Sequence, residues 1–91
     1  MSQKTVIPAP FRTLTNGAGV LNVEASDVRR AILEADRQCP GLKQRLLGDG
    51  DQLNRFVNVF VDGEDVRFLD SLDTPLKEGN ETDILLAIAG G

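Results

Sequence analysis

The chain holds no histidine and a single cysteine, Cys39. Those two facts remove most side-chain chemistry open to a small protein. Zinc sites built on His and Cys, Ser-His or Cys-His nucleophile pairs, and an internal disulfide are all excluded. The reactive potential that remains is at the C-terminus, where Ile84-Leu85-Leu86-Ala87-Ile88 runs straight into Ala89-Gly90-Gly91. A carboxylate is a poor electrophile, because its charge is delocalised and its leaving group would be oxide. If that carboxylate is the reactive group, it must first be activated by exchanging oxide for a better leaving group. Gly91 is then the residue whose carboxylate reacts. Gly90, lacking a Cβ, accepts extended or positive-φ geometry inside a narrow channel, and Ala89 keeps the approach slim. A terminal Gly-Gly is often only a frayed end, but here it follows an apolar run with no polar spacer. A reactive tail of this kind belongs to a carrier or tag rather than to an enzyme.

The other groups with chemical potential have plainer readings. Cys39 falls on the apolar face of a helical pattern, where a free cysteine behaves as a small buried hydrophobe. Asp62, Glu64, Asp65, Asp70 and Asp73 lack the spacing of an EF-hand loop and read as a solvated turn or a rim for basic partner residues. Gly48-Asp49-Gly50 is not followed by the Lys-Ser/Thr of a phosphate loop. Arg29, Arg30 and Arg37 solvate the helix.

These groups must be positioned by one small domain, expected to span residues 1–91 with a flexible Ala-Gly-Gly tail. A hydrophobic fraction of 41% separates the chain from disordered sequences. A net charge of −4 argues against a general nucleic-acid binder, which needs clustered Lys and Arg. No apolar run has membrane length and the N-terminal residues lack a signal-peptide core, so a cytoplasmic location is expected.

Lys4–Ile7 and Phe11–Leu14 flank Pro8 and Pro10, which predicts an irregular or edge first strand. Asn16-Gly17-Ala18-Gly19 predicts a turn and Val20–Ala25 the return strand of a hairpin. Ser26 is the expected helix N-cap. Val28, Ala31, Ile32, Ala35 and Cys39 share one helical face before Pro40-Gly41 ends the helix. Leu42, Leu46 and Leu47 suggest a further helical turn. Arg55–Val61 is the clearest strand, Glu64–Phe68 a short one, and Thr82–Ala89 the last. Between them, Leu72 and Leu76 are expected to plug the core from a loop. Hairpin, helix and further strands make an α+β pattern, with the helix on one face of a sheet.

Strand alternation puts Val57, Val59 and Val61 on one face, and Phe56, Asn58 and Phe60 on the other. Asn58 and Asp83 mark the outward faces of their strands. Phe56, Phe60 and Leu85 are thereby expected to form an outward apolar surface near the tail, a candidate docking patch.

Two stretches, Phe56–Phe68 and Thr74–Gly91, resemble the ubiquitin-like sulfur carriers of the thiamine-carrier and molybdopterin-synthase small-subunit type. With the Ile-Pro and Phe-Arg elements near the N-terminus, the likeness is greatest to carriers serving cysteine biosynthesis. Its most specific part is a Leu-x-x-Gly-x-x turn feeding an apolar strand that stops at Gly-Gly. The resemblance covers nearly the whole chain and implies a ubiquitin-like β-grasp fold: a mixed sheet with one main helix on one face. It also implies a carrier with no bound cofactor. An adenylating partner enzyme uses ATP and magnesium to activate Gly91, a sulfur donor converts it to a thiocarboxylate, and an acceptor enzyme such as a cysteine synthase takes the sulfur. A metalloprotease then releases the product; neither nucleic acid nor membrane is a partner. Thiamine or molybdopterin synthesis, conjugation to target proteins through Gly91, and a binding module that never activates its tail remain open alternatives.

Overall fold

The computed structural model describes residues 2–48 and 52–87. Strands β1 (Gln3–Val6), β2 (Val20–Val23), β3 (Val57–Val61), β4 (Glu64–Asp65) and β5 (Glu81–Leu86) form one sheet in the order β2-β1-β5-β3-β4. β1 and β5 run parallel and the other neighbouring pairs antiparallel. Helix α1 (Val28–Gln38) and the one-turn helix α2 (Leu42–Leu46) complete the fold.

The period-2 alternation of the strands decides which side is core. Leu21, Val23, Val57, Val59, Val61 and Ile84 are buried in one cluster with Val28, Ala31, Ile32 and Ala35 of α1. The apolar stripe of α1 thus closes over one sheet face, and Arg30, Glu34 and Arg37 stay outside it. Ile32 is fully enclosed, so its truncation to Ala costs about 2–5 kcal/mol in lost transfer energy and cavity. Leu72 and Leu76, on the irregular segment between β4 and β5, are buried in the same core as expected.

The first hairpin turns through Asn16 and Gly17, at φ 55° and 88°. The β3–β4 turn uses Asp62 and Gly63 at φ 47° and 90°. Both central residues there are left-handed, as two-residue hairpins with native twist require, which is why Asp-Gly suits the position.

Four details depart from the sequence expectation. β1 is not an edge strand, because it pairs with β2 on one side and β5 on the other. Pro8 and Pro10 lie beyond its last laddered residue and open a 3-10 turn at Ala9–Phe11, so their missing N–H groups cost the sheet nothing. Phe11–Leu14 is accordingly a run of turns, not a strand. The N-cap of α1 is Asp27, not Ser26: the Asp27 carboxylate accepts from the Arg30 N–H at 2.8 Å. Ser26 instead offers its carbonyl to the Leu76 N–H at 2.9 Å, which ties the β4–β5 connection to the start of α1. Beyond Asp65 the chain leaves the expected strand for a 3-10 turn at Val66–Phe68.

Buried polar groups lie beside the central pair of strands. Gln3, 1% exposed, accepts from the Ala25 N–H at 2.8 Å and donates to the Lys77 carbonyl at 3.2 Å. Thr5 and Thr82 stand opposite each other in the parallel β1–β5 pair, and both hydroxyls are buried without a hydrogen-bond partner.

Candidate tail-presenting site

β5 occupies the interior of the sheet, and its two sides end at different points. Toward β1 the register stops at Asp83, opposite Val6. Toward β3 it continues to Leu86, opposite Val57. One further bond, from the Ala87 N–H to the Phe56 carbonyl at 2.7 Å, extends the β3 side past the strand. The last residues of β5 and Ala87 are therefore held along the β3 side only, ending beside Phe56. Ala89, Gly90 and Gly91, expected to form the working tail, lie outside the described residues, as does Ile88. A groove of about 430 Å³ opens at this end, with Phe11, Arg45, Phe56, Leu86 and Ala87 among its walls.

The three residues expected to form an outward patch are placed unequally. Leu85 is half exposed and stands opposite Asn58 on the outer sheet face. Phe60 is on the same face but half-buried, flanked by Asp83 of β5 and Asp65 of β4 across the strands. A ring between two paired neighbours loses area to both, which an alternation argument on a single strand does not register. Phe56 is half exposed but sits in the turn before β3, so strand alternation does not set its direction.

The outer face carries more apolar surface than the sequence reading assigned to it. Val6 and Val20 are opposite each other in the β1–β2 register, and Val20 is half exposed. Counting back from buried Ile7 by twos would have put Val6 outward. Phe68 is 87% exposed, and its 3-10 turn breaks the strand alternation that would place it.

Charged residues frame the patch. Arg67 donates to Asn58 Oδ1 at 2.7 Å and to Asp65 Oδ2 at 2.9 Å. The hydrogen bonds from Arg67 hold the Asp65 carboxyl below its ordinary range. Along β5 the opposite occurs: the neighbouring Asp83 carboxyl, through a shared hydrogen bond and then its charge, pushes Glu81 up. Asp62 accepts from the Glu81 N–H at 2.9 Å, which clasps the β3–β4 turn to the start of β5.

The remaining candidates are structural. Cys39 is half-buried against the core. Arg37 pairs with Glu34 at 2.8 Å and Arg29 with Asp73 at 3.3 Å. Among the described residues no three His, Cys, Asp or Glu side chains converge to hold a metal ion, and no helix is long and apolar enough to cross a membrane.

The ThiS family model matches residues 6–91. The sulfur carrier protein CysO of Mycobacterium tuberculosis is 32% identical over 93 residues, covering 100% of both chains. Among solved structures, a chain of the Amycolatopsis orientalis BexX/CysO complex superposes with a TM-score of 0.92 at 36% identity, covering 98% of this chain and 99% of that one. The small archaeal modifier protein 1 of Methanosarcina acetivorans follows the same fold, with a TM-score of 0.85 at 27% identity and coverage of 99% and 96%. A mixed sheet with one main helix on one face, the tail-side asymmetry of β5 and the match along nearly the whole chain agree: this chain belongs to the ThiS family of ubiquitin-like sulfur carriers.

Proposed function

We propose that the chain carries sulfur as a thiocarboxylate on Gly91 and delivers it for cysteine biosynthesis. The observation that supports this most is the full-length similarity to a sulfur carrier protein of the CysO type, in a chain whose last strand leads into Ala-Gly-Gly. In the proposed cycle a Gly91 carboxylate oxygen attacks the α-phosphorus of ATP on an adenylating partner, and pyrophosphate leaves. A sulfide or persulfide donor then attacks the acyl carbon, and AMP departs with the electron pair of the broken C–O bond. When the donor is a persulfide, a thiol on the donor protein supplies the two electrons that cleave its S–S bond. The product, C(=O)S⁻, is the nucleophile presented to an acceptor such as a cysteine synthase, and a metalloprotease would release the finished cysteine. ATP and magnesium belong to the partner in this scheme; the carrier contributes placement.

The role of the fold follows from its geometry. β5 is anchored by β1 and β3 at its start and by β3 alone at its end, so a tail leaving it has a fixed origin. Phe56, Phe60 and Leu85 supply apolar contact for the partner, and Ala89 and Gly90 the slim segment that enters its channel.

Intact mass spectrometry of the chain incubated with its adenylating enzyme, ATP and a sulfur donor tests the proposal. Replacement of one oxygen by sulfur at Gly91, abolished by deleting Gly91, is the expected result. A second reading, conjugation to target proteins, is favoured by the likeness to a small archaeal modifier protein; it predicts a ladder of larger species retaining this chain. Absence of any ATP-dependent adenylation of Gly91 would overturn both.

A further inference from the structure

Three arginines converge beside the start of β3 on a chain of net charge −4. Arg29 comes from the first turn of α1, Arg55 from the turn before β3, and Arg67 from the 3-10 turn after β4. They line a groove of about 380 Å³ whose apolar walls are Leu53, Val57 and Leu72. Among the described residues Asp73 is the one acidic wall residue, and it meets Arg29.

We propose that this groove is a docking site for an acidic segment of a partner protein that inserts one leucine- or phenylalanine-sized side chain between flanking carboxylates. The proposal rests on the reading that partner enzymes handle the tail. Charge complementarity selects the occupant: guanidinium forks prefer carboxylates bidentately, and the acidic remainder of the surface repels such a segment from other sites. The apolar walls distinguish it from a small anion, which would leave Leu53 and Leu72 without a counterpart. The Arg29–Asp73 pair leaves both side chains partly in water, whereas Arg67 is held by Asp65 and Asn58, so Arg55, exposed at the groove, is the guanidinium at which a partner carboxylate gains most. Continuity with the tail is direct. Asn54 and Val57 line both this groove and the one at the base of the tail, and Val57 is registered against Leu86 of β5. A segment seated here is held next to the strand that delivers Gly91.

The test is a backbone amide NMR titration of the full chain with a short peptide carrying one leucine flanked by aspartates and glutamates. Saturable shifts at Leu53, Val57 and Ser71–Asp73 are expected, weakening with added salt. Arg55→Glu is expected to weaken binding by about tenfold or more; Arg55 is exposed, and dispersion of the amide spectrum reports that the variant is folded. Equal shifts from the same peptide with glutamine in place of its acids, equal shifts from inorganic phosphate, or no shifts at these residues would each overturn the proposal. Deleting Gly91 leaves the titration unchanged if the groove is the site. Failure of the tail to become a thiocarboxylate is therefore read in a separate experiment.

Discussion

The Ala87 N–H donates to the Phe56 carbonyl at 2.7 Å, one step beyond the last registered pair of β3 and β5. The bond carries the pairing of β5 with β3 one residue past Leu86, to Ala87 beside Phe56, with Leu85 opposite Asn58 two residues earlier. Phe56 and Leu85, both half exposed, flank this bond, and an exposed apolar surface of this kind is a candidate for partner contact.

Leu85→Ala and Phe56→Ala are each expected to lower the rate of thiocarboxylate formation about tenfold, since interface anchors commonly contribute 1–2 kcal/mol or more. Both side chains are half exposed, so thermal unfolding should move little, within about 0.5 kcal/mol. A large loss of stability with unchanged loading would assign these residues to the core instead.

Thr82→Val should stabilise the fold by about 1 kcal/mol. Its hydroxyl is buried without a partner opposite Thr5, whose hydroxyl is equally unpaired. An isosteric methyl removes a desolvated polar group without opening a cavity. Urea unfolding of the variant measures it, and a destabilised Thr82→Val would mean that the hydroxyl has a partner such as an ordered water.

Asp27→Ala is expected to cost about 1 kcal/mol of stability through loss of the cap on the Arg30 N–H. Ser26→Ala should cost much less, because Ser26 contributes its backbone carbonyl, which alanine retains. The two variants compared by chemical denaturation separate the capping residue from its neighbour.

Glu81→Gln should raise the melting temperature at neutral pH, with the gain fading as pH falls through the raised folded pKa of Glu81 to its ordinary value. Asp83 raises the Glu81 pKa in the folded chain, by hydrogen bond first and charge second; Asp62 adds to the effect and Lys4 opposes it. An acid whose folded pKa is raised binds its proton more tightly in the native state, so stability falls as pH rises through the range between the unfolded and folded values. Asp65 has the reverse sign. Held low by Arg67, it contributes stability above the ordinary carboxylate range that is lost as pH drops through its folded pKa. Melting curves of wild type and Glu81→Gln across pH 3–8 resolve the two slopes.

Much of this architecture is legible in local patterns. The helical spacing of Val28, Ala31, Ile32 and Ala35, the alternation of Val57–Val61, and the Asp62-Gly63 turn each follow from short-range backbone geometry, which a linear sequence states directly. The inward facing of Val57, Val59 and Val61 and the outward facing of Leu85 follow from the same periodicity. The absence of histidine and the Ala-Gly-Gly end directed attention to Gly91 without any structure. Tertiary structure alone decided the rest, because those features depend on partners distant in the chain. β1 became an interior strand only when β5 paired with it in parallel across 77 positions, Lys4 against Glu81. Phe60 lost exposure to Asp65 and Asp83 on neighbouring strands. The cap fell to Asp27, whose carboxylate reaches the Arg30 N–H, while the Ser26 carbonyl accepts from Leu76 of a distant segment. Arg29 reads as a helix-solvating charge, and Arg55 and Arg67 as members of strand patterns, until the fold brings helix, turn and 3-10 segment to one groove. Local backbone preferences are written along the chain, whereas side-chain surroundings exist only after the sheet has brought distant segments together.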